Sequence, residues 1–226
     1  MDFRPRFESP ATILVSGGTS SGKSYLVARI LKHADSLFSK KVHEIMYCYG
    51  VWTELYSKME ANREIDNLHF HHGLPTKQEL DEFADPNLHK IICVDDLLKE
   101  SSGSDLMEDL FTRDSHHKNI SVIYISQNLF YSGSGGGGKN KNRTISLNTQ
   151  YFLLTSNYRS VDQIGVLGSQ IKKRTFLLYS YNDVLDSGNY GYLRVDLSPH
   201  GDRELIFTTH IFPDDPEPLV FYSEVN

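Results

Sequence analysis

Gly17-Gly18-Thr19-Ser20-Ser21-Gly22-Lys23-Ser24, preceded by the apolar run Thr12 to Ser16 (TILVS), decides the fold of this chain. The octet matches G-x-x-x-x-G-K-[ST] in full, between a short buried strand and a helix predicted from Lys23 to about Ala34. Tyr25, Leu26, Ala28, Ile30 and Leu31 give that helix its apolar positions. Glycines let the backbone turn its N–H groups inward onto phosphate oxygens, and the helix N-terminus adds favourable dipole potential. Gly17, Gly18, Thr19, Ser20, Ser21, Gly22, Lys23 and Ser24 are therefore expected to hold a nucleoside triphosphate, ATP with Mg2+. Lys23 would reach the β and γ phosphates, and the Ser24 hydroxyl would coordinate the metal. A chance glycine-serine turn is the competing reading. Spacing, residue types and the strand–helix context together argue against it.

Strands and helices alternate outward from this loop. Val42 to Tyr49, Leu68 to His71, Lys90 to Val94, Ser121 to Ser126 and Tyr151 to Thr155 read as strands. Helices are expected over Val51 to Met59, from a Thr76 cap with Glu79 as its capping-box partner to about Ala84, over Asp105 to Arg113, and over Val161 to Gly168. Two strand-like segments, Tyr190 to Leu197 and Glu204 to Phe212, follow, and the Pro-rich end reads as an extended tail. The pattern predicts an α/β fold: a P-loop NTPase with a mostly parallel sheet, helices on both faces and a C-terminal antiparallel edge hairpin. The expected organisation is an N-terminal extension (residues 1–10), a P-loop ATPase domain (11–213) containing a flexible Gly-rich basic loop (132–143), and a C-terminal tail (214–226).

Several strand ends carry chemistry. Ile91-Ile92-Cys93-Val94 ends in Asp95-Asp96. Beside a phosphate loop, Asp95 would hold magnesium and Asp96 would polarise the attacking water. A purely structural cap is the alternative. Gln127, at the end of the next buried strand, is placed to sense the γ-phosphate, because ligands gather at the carboxyl ends of parallel strands; a turn cap by Asn128 competes with that role. Arg143 and Arg159 flank the strand Tyr151 to Thr155. Either could neutralise charge on the γ-phosphate of a neighbouring subunit, or be an ordinary surface arginine. Lys139, Lys141 and Arg143 put positive charge on a glycine-rich tether and are candidate DNA contacts. His69, His71 and His72, and the pair His116-His117, lack a second ligand pair at zinc-like spacing, so a structural part is favoured over a metal site.

Composition bounds the partners. The 226 residues suit one compact domain, and 39% hydrophobic residues with 12% aromatics exclude a disordered chain. The net charge of −6 disfavours a protein that coats nucleic acid, so any DNA contact must be local or shared among subunits. No apolar run is long enough to span a bilayer, and the N-terminus does not read as a secretory signal, so no membrane is expected. Cys48 and Cys93 lie in core strands and are expected to be buried reduced thiols of an intracellular protein.

Taken together, GGTSSGKS, IICVDD, LFTRDSHHKNISVIYISQNLF, NRTISLN and GYLRVDL resemble the genome-packaging ATPases of Polinton/Maverick elements, adintoviruses and related large DNA viruses, within the FtsK–HerA superfamily. The resemblance runs from about Ala11 to Pro213. It implies a homo-oligomeric ring motor that hydrolyses ATP to move double-stranded DNA into a capsid, with a capsid or portal protein as partner. By position, Asp95 would be the magnesium acid, Asp96 the catalytic acid and Gln127 the sensor. The chain departs from the pattern at Asp96, where glutamate is common, and in its long GSGGGGKNKN insert. A nucleotide or small-molecule kinase and a non-motor P-loop regulatory protein are the alternatives. The first would need an arginine-rich lid and an acceptor pocket, and neither is evident.

Overall fold

The computed structural model describes residues 4–95, 97, 104–130, 141–188 and 190–222; of residues 141–143 it describes the backbone alone. The elements in chain order are β1 (Thr12–Ser16), α1 (Lys23–Lys32), α2 (Ala34–Leu37), β2 (Glu44–Tyr49), α3 (Glu54–Asn62), β3 (Leu68–His72), α4 (Lys77–Phe83), β4 (Lys90–Asp95) and α5 (Asp105–Asp109). α5 runs on through a π-turn (Leu110–Asp114) and a last turn (Ser115–His117). Then come β5 (Ile120–Ser126), α6 (Lys141–Leu147), β6 (Tyr151–Thr155), α7 (Val161–Gln170), α8 (Arg174–Asp186), β7 (Tyr192–Asp196), β8 (Phe207–Thr209) and β9 (Leu219–Val220).

These strands form a nine-stranded sheet in the order β3-β2-β4-β5-β1-β6-β7-β8-β9. Pairings from β3 to β6 are parallel, and β7, β8 and β9 add antiparallel strands at one edge. The central strands are apolar in continuous runs because helices cover both of their faces. Alternation sorts their side chains. Ile13, Val15, Ile91, Cys93, Ile123 and Ile125 pack with α1, α2 and α3, whereas Leu14, Ile92, Val94, Val122 and Tyr124 pack with α4, α5, α7 and α8. Cys48 and Cys93 are buried free thiols on β2 and β4, and burial pushes Cys48 up to about 12.

The Thr76–Glu79 capping box forms in full, with the Thr76 hydroxyl accepting from the Glu79 amide and the Glu79 carboxylate accepting from the Thr76 amide. Three expectations change. α8 is a helix where none is expected; its buried face, Leu177, Ser180, Tyr181 and Val184, has i, i+3, i+4, i+7 spacing, and its N-cap Lys173 makes no side-chain cap. Within 204–212, Arg203–Leu205 forms a 3-10 turn and only Phe207–Thr209 is strand, with His210 at φ 56° following it. Residues 141–143, expected in the flexible loop, begin α6, whose Ile145 is buried in the core.

Residues 4–7 and 211–216 pack beside α1, α2 and the sheet. Phe7 is buried, bridges Phe38 and stands edge-on to Tyr151 at 5.0 Å. Arg4 donates to the Phe212 and Asp215 carbonyls. Arg29 on α1 pairs with Asp214 and Asp215 at 2.8 and 2.7 Å and lies over the Phe212 ring. Among the described residues, no helix is long and apolar enough to cross a membrane.

Candidate nucleotide-binding site

The loop 17–24 is strung between three strand ends. Ser16 stands in register with Ser126 of β5 and Leu154 of β6. The Gly17 amide donates to the Ser126 carbonyl at 3.3 Å and the Gly18 amide to the Ser156 carbonyl at 2.8 Å. Thr155 donates to the Ser16 carbonyl, and its hydroxyl lies 2.7 Å from the Ser21 hydroxyl. A Cβ on Gly17 would stand 1.9 Å from Thr155 Oγ1, so no side chain fits there. Gly22 adopts φ 87°, a left-handed turn that delivers the chain into α1. The first amides of α1 have no intrahelical partner and open onto the loop. Lys23 Nζ donates to the Gly18 carbonyl at 2.6 Å, closing the loop upon itself. Glycines where a Cβ would collide, a helix N-terminus and a lysine at the loop's mouth together suit a polyphosphate.

The acidic strand end joins this loop. Ser24 Oγ donates to Asp95 Oδ2 at 2.8 Å, linking residues 71 positions apart. The same oxygen accepts from Tyr47 at 2.8 Å and from Tyr56 at 2.9 Å. β2 pairs with β4 so that Tyr49 lies opposite Asp95 and Tyr47 opposite Cys93; α3 brings Tyr56 over the same point. Asp95 is only 4% exposed. Burial, then the Asp95 charge, pushes the Tyr47 phenol well above its ordinary value, so it stays a neutral donor. A hydroxyl and a carboxylate converging at 2.8 Å are hard oxygen donors of the kind that magnesium takes, so Ser24 and Asp95 fit the expected metal. Asp96 lies outside the described residues.

Gln127 follows β5 directly, one residue from the carbonyl that holds Gly17. It is exposed, and its own carbonyl accepts from Asn157 Nδ2 at 3.0 Å. Gln163 of α7 secures the next turn, its Oε1 accepting from the Leu129 and Phe130 amides. Arg159 is exposed in the turn after β6, beside exposed Tyr158, at the sheet end that carries the loop. The structure therefore gathers Lys23, Ser24, Asp95, Gln127 and Arg159 at one sheet end. Lys139 lies outside the described residues, as do the side chains of Lys141 and Arg143.

Tyr47, Tyr56, Thr155, Asn157 and Gln163 were not singled out from the sequence. Tyr47 and Tyr56 carry no motif; only the β2–β4 register and the fold of α3 bring them to Asp95. The histidines go elsewhere. His69 lies 3.4 Å from Glu44, His71 contacts Glu79 and the Gly73 carbonyl, and His72 stacks edge-on to Tyr49. Among the described residues no three His, Cys, Asp or Glu side chains form a metal-holding group.

Sheet order, the loop between β1 and α1, and an acid at the end of β4 define a P-loop NTPase fold. Among solved structures sharing it is the genome packaging NTPase B204 from Sulfolobus turreted icosahedral virus 2 in complex with ATP-gammaS: 11% identity, TM-score 0.56, covering 83% of this chain and 93% of that one. The cytoplasmic domain of EssC matches at 14% identity and a TM-score of 0.46, over 70% of this chain and 34% of that chain. No protein-family model and no curated protein matches the sequence.

Proposed function

We propose that this chain is an ATP-hydrolysing translocase that packages viral or viral-like double-stranded DNA into a capsid, working as a homo-oligomeric ring. The observation that carries the nucleotide part is the 2.8 Å bond from Ser24 Oγ to Asp95 Oδ2. It puts a carboxylate beside the hydroxyl of a complete phosphate loop, as metal-dependent phosphoryl chemistry requires.

In this reading Lys23 exchanges its bond to the Gly18 carbonyl for β and γ phosphate oxygens. Backbone amides of residues 17–24 hold the remaining oxygens, while Ser24 and Asp95 hold magnesium. Magnesium, when bound, neutralises phosphate charge and polarises the γ-phosphate. Asp96 serves as the base for water, Gln127 orients that water, and Arg159 or Arg143 supplies a positive charge to a neighbouring subunit's site. Tyr47 and Tyr56 fix Asp95 by donating to Oδ2. Lys139, Lys141 and Arg143 contact the DNA backbone.

The translocation part is supported by the family resemblance of the sequence and by a fold shared with a protein named as a genome packaging NTPase. A net charge of −6 suits basic residues confined to a pore better than a DNA-coating surface. The test is the mass of the particle formed with a non-hydrolysable ATP analogue and linear double-stranded DNA. A closed oligomer on DNA is expected, and a persistent monomer overturns the ring.

A further inference from the structure

Beside the phosphate loop is a cavity of about 540 Å3 lined by Ser20, Gly22, Tyr25, Leu26, Arg29, Tyr190 and Tyr192. Its volume falls in the range of small-ligand sites. It continues the phosphate loop, since Ser20 and Gly22 belong to both. Tyr25 immediately follows Ser24 and is 63% exposed, and Tyr190 is 75% exposed. The Tyr190 ring is pressed against the loop: a Cβ on Gly22 would lie 2.8 Å from Tyr190 Cδ1. Two large aromatic rings left to solvent at the mouth of a phosphate loop have an unmet hydrophobic demand that a flat apolar ligand would satisfy.

We infer that this cavity is the nucleobase subsite, that Tyr25 and Tyr190 hold the base by stacking, and that it accepts purine triphosphates in general rather than ATP alone. This rests on the nucleotide-binding reading above. Two polar groups of the wall are engaged elsewhere. Arg29 is committed to Asp214 and Asp215, and the Tyr192 hydroxyl accepts from the Ile211 amide and donates to Asp215. No Asn, Gln, Asp or Glu is among the described lining residues, so the described wall offers no amide or carboxylate side chain for the paired hydrogen bonds that separate adenine from guanine. Stacking discriminates weakly because every base has a π-face, and the larger purine rings gain most from it.

The test is displacement of a ribose-labelled fluorescent ATP by ATP, GTP, CTP, UTP and inorganic tripolyphosphate, all with magnesium. ATP and GTP are expected within about fivefold of each other, ahead of the pyrimidine nucleotides and of tripolyphosphate. Tyr190→Ala and Tyr25→Ala should each weaken ATP on the order of tenfold while leaving tripolyphosphate unchanged, and Tyr190→Phe should restore ATP affinity. A preference for ATP over GTP beyond about fiftyfold overturns the stacking site, because that ratio requires edge recognition. ATP binding unchanged in both alanine variants overturns the subsite while leaving the phosphate loop intact. Equal loss of ATP and tripolyphosphate in Tyr190→Ala makes the ring a support for the loop and also overturns it. Failure of wild type to bind either ligand removes the nucleotide-binding reading itself.

Discussion

Removing the Tyr47 hydroxyl tests the arrangement around Asp95. Tyr47→Phe keeps the ring, which packs on Tyr56 at 5.2 Å and Phe70 at 5.6 Å, and deletes only the 2.8 Å bond to Asp95 Oδ2. A buried hydrogen bond to a charged group contributes about 2 kcal/mol. In a domain of this size that corresponds to a fall of about 4–8 °C in melting temperature. Ser24 and Tyr56 still donate to the same oxygen, so the single variant should fold. Adding Tyr56→Phe leaves Ser24 as that oxygen's remaining described donor, and the double variant should lose more than the sum of the singles, by at least about 0.5 kcal/mol. Groups that orient a metal-binding carboxylate typically control metal affinity about 10- to 100-fold, so half-saturation of nucleotide binding by magnesium should rise by that order in Tyr47→Phe. The assays are thermal denaturation and a magnesium titration of nucleotide binding. A melting temperature within about 1 °C of wild type, with an unchanged magnesium titration, would show that Tyr47 does not hold Asp95.

Three more outcomes follow from the geometry. Gly22→Ala places a Cβ on a residue at φ 87°, 2.8 Å from Tyr190 Cδ1; it should cost about 1–2 kcal/mol of backbone strain and abolish nucleotide binding, and unchanged binding in a filter assay would contradict the assigned turn. Arg194 is 1% exposed and pairs with Asp196 at 2.8 Å; Arg194→Met should cost about 3–5 kcal/mol by stranding a buried carboxylate, and a urea midpoint giving less than about 1 kcal/mol would refute this. His89 is buried, its Nδ1 facing the Lys40 carbonyl and its Nε2 the Ser121 hydroxyl, which already accepts from the Ala11 amide. A carbonyl only accepts, so Nδ1 carries the proton and Nε2 accepts from Ser121. Burial lowers this histidine from 6.5 to about 4, so the unfolded chain binds more protons between those values. Stability should therefore be full above about pH 6.5 and fall by about 3 kcal/mol as pH drops to about 4, a loss that His89→Gln removes; a wild-type urea midpoint that stays flat over this window would contradict it.

The phosphate loop was legible because its chemistry is local: eight consecutive residues fix the turn, the helix start and the lysine. The central strands were legible because burial on both faces makes them continuously apolar, as in Ile91 to Val94 and Val122 to Ile125. The antiparallel edge was readable from the short connection between the last two strand-like segments. α8 was missed although Leu177, Ser180, Tyr181 and Val184 repeat at helical spacing, because Phe176, Tyr179 and Tyr181 give the stretch a strand-like composition and no capping residue marks its start. Tyr47 and Tyr56 could not be found from spacing at all. Their role depends on the register that sets β2 beside β4 and on the way α3 folds back over that pair, which are properties of the assembled sheet.

In the proposed motor, the loop at residues 17–24, with Asp95, turns over ATP to drive movement along DNA. The deciding measurement is the steady-state rate of magnesium-dependent ATP hydrolysis with and without linear double-stranded DNA, in wild type and in Lys23→Ala. DNA should raise the rate severalfold, and Lys23→Ala should abolish it. Hydrolysis indifferent to DNA, or surviving in Lys23→Ala, would contradict it.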